Sequence, residues 1–191
     1  LRDVVVVLFG VGIGLVTAVV VRRRAKFLAK RRFGSLASNF PRPQPYVAPP
    51  WIPKGITPPA SRLLLAHLPT PLHRWALPRV PASTEILIKR DDCTGSELSG
   101  NKVRKLEFLL ADAVDQGCDA VITVGGIQSN HCRATAVAAR RLGLEPHIIL
   151  RGENKDPGLV GNLMIDRLVG AHVHLCEPGE FSAKGGATLV K

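Results

Sequence analysis

Three short segments carry residue types that could do chemistry. They are Lys89-Arg90-Asp91-Asp92-Cys93-Thr94-Gly95, Leu98-Ser99-Gly100-Asn101-Lys102-Val103-Arg104-Lys105-Leu106-Glu107, and Val124-Gly125-Gly126-Ile127-Gln128-Ser129-Asn130-His131-Cys132-Arg133. In the second, Lys102 follows a small polar turn and opens a helical pattern. An amine at the positive end of a helix dipole, with further cations beside it, loses its proton more readily. A neutral amine is what Schiff-base formation with an aldehyde cofactor requires. For a single lysine, a solvated side chain beside a helix start explains the same residue. In the third segment, glycines let the backbone approach a ligand, and Ser129, Asn130 and the helix N-terminus behind them offer donors to a carboxylate or phosphate. On spacing alone, a capped strand-to-helix turn is an equal reading.

The elements that would position these loops are legible. Lys102 to Gln116 places Val103, Leu106, Leu109, Leu110 and Ala113 on one helical face, and Gly117 ends it. Ser83 to Arg90, Asp119 to Val124, Glu145 to Leu150 and Ala171 to Leu175 read as strands. A helix capped by Ser129 or Asn130 runs to Arg141, and another spans Leu159 to Val169. This alternation predicts α/β architecture built of βαβ units, with a parallel sheet flanked by helices. Ligands in such sheets sit beyond the carboxyl ends of strands, which directs attention to the loops after Arg90 and Val124.

Composition narrows the function classes. The 191 residues are 46% hydrophobic and 21% charged, which excludes a wholly disordered chain. The net charge of +11 is unevenly spread: residues 1–54 hold ten basic residues and one acid, +9, whereas residues 55–191 carry +2. The basic residues cluster beside an apolar run with no aromatic interleaving, so no nucleic-acid partner is expected. Cys93, Cys118, Cys132 and Cys176 form no CxxC pair, against a zinc ribbon, redox motif or dense disulfide framework. His172, His174 and Cys176 alternate, but three ligands along one strand converge poorly on an ion. No metal site is expected.

The first sixty residues read as an address and a spacer. Val4 to Val21 is an eighteen-residue run without charge, followed by Arg22-Arg23-Arg24, Lys26 and Lys30-Arg31-Arg32. As a helix it would cover roughly 27 Å, enough for the hydrocarbon core, with the basic flank held on the cytosolic or matrix side. A membrane anchor through Val4–Val21 is therefore expected. The alternatives are a mitochondrial or plastid targeting leader, for which the Arg-rich residues 22–38 fit better, and a buried strand or helix, for which eighteen residues is long for a strand. A secretory signal peptide would carry its charge before the apolar run, not after it. The expected organisation is an apolar segment with basic flank over 1–38, a proline-rich linker over 39–60, and an α/β catalytic part over 61–191.

Together the segments Leu65-Ala66-His67-Leu68-Pro69-Thr70-Pro71, KRDD, SGNKVRKLEFL, GGIQSNHCRATA and DPGLVGNLMIDRLVGAHVHL resemble the pyridoxal-phosphate enzymes of the D-cysteine desulfhydrase and 1-aminocyclopropane-1-carboxylate deaminase family. The resemblance covers roughly residues 64–181 and weakens over Phe181 to Lys191. It implies the tryptophan-synthase-β-like fold known as fold type II, here truncated at its C-terminus, and a homodimer in the full-length family. By motif position, it implies Lys102 as the lysine that joins the pyridoxal 5'-phosphate and Ser129 as the active-site residue close to the substrate carboxylate and α-carbon. Asn130 would hydrogen-bond the cofactor's phenolic oxygen, while Asn101, Gln128 and His131 would line the substrate pocket. His131 looks more like the desulfhydrase branch, since deaminases tend to carry Gln there. The implied reaction is β-elimination of a small amino-acid substrate, D-cysteine, to pyruvate, ammonia and sulfide. Ring-opening deamination of the cyclopropane amino acid is the alternative, and a non-catalytic membrane-tethered form of the fold is a third. The family's phosphate-cradling glycine loop and the group facing the pyridine nitrogen are expected beyond Lys191.

Overall fold

The computed structural model describes residues 4–5, 8–9, 16–21, 40–81, 83–152 and 156–180. Its centre is a parallel ladder of β8 (Ala120–Gly126), β9 (Glu145–Arg151) and β10 (His172–Cys176). The crossovers are helical, through α2 (Asn130–Arg141) and α3 (Gly161–Leu168). A third helix, α1 (Lys102–Asp115), precedes β8 and packs on α2. The βαβ alternation read from the sequence is thus the observed architecture, with boundaries shifted by one or two residues.

Consecutive buried residues in β8 and β9 show burial on both faces of these strands. Val121, Ile148, Leu150 and Val173 share one face of the sheet by register and meet the small residues of α2. Ala134, Ala136, Ala138 and Ala139 are fully buried, and their short side chains let α2 lie close to the strands. Leu63, Leu65 and Leu98 fill the space between α1 and the loops before it. At about 25 cal/mol per Å² of apolar surface, each such leucine contributes roughly 2 kcal/mol.

Three expectations change. The strand expected over Ser83 to Arg90 shortens to β7 (Leu87–Lys89) and leaves the parallel sheet, pairing antiparallel with β6 (Leu72–Arg74) in a separate ribbon. Leu72 and Leu87 are both exposed, so this ribbon lacks the two-sided burial that a parallel strand needs. Second, the apolar run expected as a helical membrane span forms, in its described residues, β1 (Val4–Val5), β2 (Leu8–Phe9) and β3 (Val16–Val21). Valine-rich backbone favours extended structure, and β3 completes its hydrogen bonds by pairing antiparallel with β8, Val19 opposite Ile122. Among the described residues no helix is long and apolar enough to cross a membrane. The basic stretch 22–38 and the segment 181–191 lie outside the described residues.

Third, the proline-dense stretch is more than an extended spacer. Strand β4 (Gln44–Pro45) pairs with β5 (Ser61–Arg62) across the boundary expected near residue 60. Tyr46 meets Phe108 of α1 edge-on at 4.9 Å, which docks this stretch against the helix that begins with Lys102.

Candidate functional site

Lys102 is the first residue of α1 and is half-buried, as the sequence implies. The preceding Asn101 is exposed, has helical backbone angles and makes no capping bond. The lysine is instead positioned by the loop before it. A 3-10 helix over Asp91–Thr94 turns the chain. The buried Thr94 hydroxyl lies 3.0 Å from the Asp91 carbonyl, 3.2 Å from that of Leu98 and 3.0 Å from that of Gly100, donating to one at a time. The Gly100 amide donates back to the Asp91 carbonyl at 2.8 Å.

Two ion pairs lock this loop to its surroundings. Arg104, one turn into α1, forks onto the Asp91 carboxylate at 2.7 Å through Nε and 2.7 Å through Nη2. Thr70 adds a donated bond of 3.0 Å, and the Arg104 pairing holds the Asp91 carboxyl below its ordinary range. Glu107, buried on the same helix, accepts from the amides of Leu65 and Ala66 at 2.9 Å each and pairs with Arg62 at 2.6 Å. Arg62 Nε donates as well, at 2.7 Å, and the four bonds to one carboxylate make its burial tolerable.

The second loop follows β8. Ser129 caps α2, its hydroxyl accepting from the Cys132 amide at 3.2 Å. Gly125 is required here by packing: an added Cβ would stand 2.7 Å from Cys132 Sγ and 2.8 Å from Ser129 Oγ. The same addition at Gly126 meets nothing within 4 Å, so this is where the backbone is open to a ligand. Asn162 of α3 ties the loop together. Its side-chain amide donates to the Gln128 carbonyl at 2.8 Å and to Asn130 Oδ1 at 2.9 Å, while its backbone amide donates to Gln128 Oε1 at 2.8 Å.

His131 lies behind this loop, 6% exposed, with neither ring nitrogen hydrogen-bonded. Burial, and next the charges of Lys105 and Lys102, push it down to about 3, so the ring is neutral. Helices α1 and α2 pack on each other, and the charges of α1 are felt at the ring of this second residue of α2. Burial and the Lys102 charge also hold Lys105 below its ordinary value. Arg133 completes the junction: it is buried, donates to the Ser99 carbonyl at 2.9 Å and also reaches the Glu97 carbonyl.

Below the site, Asp166 of α3 is fully buried with both carboxylate oxygens unpartnered; burial raises it to about 7, while nearby Arg133 opposes the rise. Burial likewise pushes the Cys132 thiol up to about 11, which makes it a packing residue rather than a nucleophile. None of the four cysteines is in a disulfide.

Of the residues expected from the sequence, Gln128, Ser129, Asn130 and His131 form the turn and first residues of α2, while Lys102 begins α1 with Asn101 exposed beside it; Arg133 ties the two loops through the Glu97 and Ser99 carbonyls. Sequence reading missed Thr94, Glu107, Arg133, Asn162 and Asp166 as working residues. A signal existed for some of them. Glu107 stands on the apolar stripe of α1, and Arg133 interrupts a run of small apolar residues; a charge on such a face must have a partner.

The orphaned, buried His131 nitrogens, the open backbone at Gly126 and an amine at a helix start are a donor set that fits an aldehyde cofactor with an anionic group. Comparison with known proteins agrees. A family model described as pyridoxal-phosphate dependent enzyme matches residues 63–189, beyond the resemblance read to residue 181. The mitochondrial bifunctional D-cysteine desulfhydrase/1-aminocyclopropane-1-carboxylate deaminase of Arabidopsis thaliana is 54% identical over 175 residues, covering 87% of this chain and 44% of the relative. The D-cysteine desulfhydrase of Klebsiella pneumoniae is 46% identical over 61% of this chain and 37% of its own length. A crystal structure of an ACC deaminase homologue superposes with a TM-score of 0.52 at 33% identity, covering 81% of this chain and 38% of that one. The chain thus spans less than half the length of the curated relatives it matches.

Proposed function

The chain belongs to the pyridoxal-phosphate dependent enzymes, and from that premise we propose that it serves a carbon–sulfur lyase acting on D-cysteine. The observation that supports the reading is Arg133, which lies in the first turn of α2 behind Ser129-Asn130-His131 and donates to the Glu97 and Ser99 carbonyls of the turn before Lys102, tying the two loops together. Relatives named D-cysteine desulfhydrase support the substrate.

Pyridoxal phosphate, when bound, supplies an aldehyde for an amine and a ring that accepts the electron pair left by loss of an α-proton. The chain's own residues do the rest. Lys102 would offer the amine that holds the aldehyde, and its amine would carry the α-proton. Ser129 and the first amides of α2, which have no partner within the helix, bind the substrate carboxylate. Asn130, whose Oδ1 accepts from Asn162, would donate its amide NH2 to the cofactor's phenolic oxygen. Neutral His131 and Gln128 line the pocket and exclude water. The balanced outcome is D-cysteine plus water giving pyruvate, ammonia and hydrogen sulfide.

The second reading, opening of a cyclopropane amino acid, is favoured by the deaminase names among the relatives. For localisation, the Arabidopsis relative is named mitochondrial, which supports a targeting role for the basic residues 22–38 over an anchor. We also propose that residues 61–191 form the catalytic part.

The test is chemical labelling of the whole chain. After incubation with pyridoxal phosphate and borohydride reduction, peptide mass spectrometry should place the pyridoxyl group on Lys102. A label on Lys105, or one scattered over surface lysines, overturns the assignment. Sulfide release from D-cysteine, against ammonia release without sulfide from the cyclopropane substrate, separates the two reactions.

A further inference from the structure

The parallel register of β9 and β10 sets His147 directly opposite His172. Side chains at directly opposite positions share a face, and Glu145, two residues before His147, lies on that face too. The ligand atoms of Glu145, His147 and His172 all lie within 4.8 Å of one another. We propose that these three residues form a divalent transition-metal site, of the class that takes Zn2+, Co2+ or Ni2+, which fastens strand β10 to β9.

The chemistry of the set selects the ion. Two imidazoles and one carboxylate suit borderline metals and disfavour Mg2+ and Ca2+, which take oxygen ligands. A tetrahedral ion with bonds of about 2.0 Å needs ligand atoms about 3.3 Å apart, leaving one position for water. The two rings now stack at 4.4 Å with planes 17° apart. Because a metal lies in the plane of each imidazole it binds, the rings must turn about their Cβ–Cγ bonds to aim at one point. His172 is exposed and free to turn, while Glu145 and His147 are half-buried and held by the sheet.

Assembly from two strands is what makes the site feasible. Residues i and i+2 of one strand lie about 6.6 Å apart, whereas hydrogen-bonded neighbours across a ladder are about 4.8 Å apart. His174 illustrates the difference, its ring standing 6.0 Å from that of His147. The location is also informative. Glu145, His147 and His172 sit at the starting ends of β9 and β10, whereas Gly125 and Gly126 pair with Leu150 and Arg151 at the carboxyl ends. The metal therefore sits at the end of the sheet away from the candidate catalytic loop, and its role is to brace the sheet.

The experiment titrates the full chain with Co2+, then Zn2+, by calorimetry and visible spectroscopy. One equivalent should bind with micromolar affinity, give a tetrahedral Co2+ spectrum without a thiolate charge-transfer band, and raise Tm. His172→Ala and Glu145→Gln, the first at an exposed position, should weaken binding by at least about tenfold with unchanged circular dichroism. His67→Ala, on another part of the chain, should bind as the parent does. A thiolate band, equal loss in His67→Ala, or undiminished binding in both ligand variants overturns the proposal.

Discussion

The Arg133 guanidinium donates to the Ser99 carbonyl at 2.9 Å, so a residue in the first turn of α2 holds the turn from which Lys102 departs. The same side chain reaches the Glu97 carbonyl. Arg133 thus joins the two loops that carry the candidate site, without itself standing among the reacting groups.

Arg133→Met should therefore lower stability by about 3 kcal/mol, because two loop carbonyls lose a charged donor. It should also slow borohydride-trapped labelling of Lys102. Arg133→Lys should recover only part of both, since an ammonium lacks the planar fork that spans two carbonyls. Urea unfolding and labelling rates measured on the same variants check this; unchanged labelling in Arg133→Met would remove its positioning role.

Glu107 anchors the segment before the site. Glu107→Ala strips partners from the Leu65 and Ala66 amides and from Arg62 together, and should cost about 3–5 kcal/mol. Glu107→Gln keeps an acceptor for the amides and loses the ion pair, so it should cost less, about 1–2 kcal/mol. The ordering of denaturation midpoints decides the matter.

Asp166 and His131 give opposite pH dependences. Asp166 is raised from 3.8 to about 7, so above its unfolded value the unfolded state releases a proton the fold retains, and stability falls from about pH 4 to about pH 7. His131 is lowered from 6.5 to about 3, so the unfolded state binds a proton the fold refuses, and stability rises from about pH 3 to about pH 6.5. Each is worth on the order of 4 kcal/mol, and between about pH 4 and 6.5 the two slopes offset each other. Asp166→Asn should leave a stability that climbs with pH in that window, and His131→Gln one that declines. Parallel urea titrations of both variants across that range test the signs, and identical slopes would contradict the assignment.

Gly161 begins α3 at φ +49°, and a Cβ there would run into Gln128 Oε1. Gly161→Ala should cost about 1–3 kcal/mol and loosen the hold of Asn162 on Gln128 and Asn130. Gly126→Ala meets open space and should change stability by no more than about 0.5 kcal/mol, yet impair cofactor labelling if the ligand approaches there. Thermal melts and labelling of the pair separate a packing glycine from a binding one.

Much of the fold was legible because its signals are local. The apolar stripe of α1, the Ser129 cap and the short apolar strand before Gly125 each depend on residues within one or two turns, and the structure has them within a residue or two. Residues whose partners are distant in sequence were not legible. Asn162 looks like an ordinary polar residue until Asn130, 32 residues away, is in place, and Arg133, though its charge in a small apolar run demands a partner, does not reveal that the partner is Ser99, 34 residues away. The apolar run Val4–Val21 misled for a related reason: apolar content over eighteen residues suits a spanning helix, while its described residues found strand partners, β3 against β8.

The sequence by itself determined the reactive residue types, their order and the family to which they belong. Lys102, Ser129 and Asn130 are recognisable because short motifs demand those residues at those spacings. Tertiary structure alone decided which groups face one another: Asn162 against Gln128 and Asn130, Arg133 beneath Ser99, and His147 opposite His172. The physical reason lies in the sheet register and helix packing, which bring distant residues within a few ångströms and cannot be deduced from spacing along one strand or one helix.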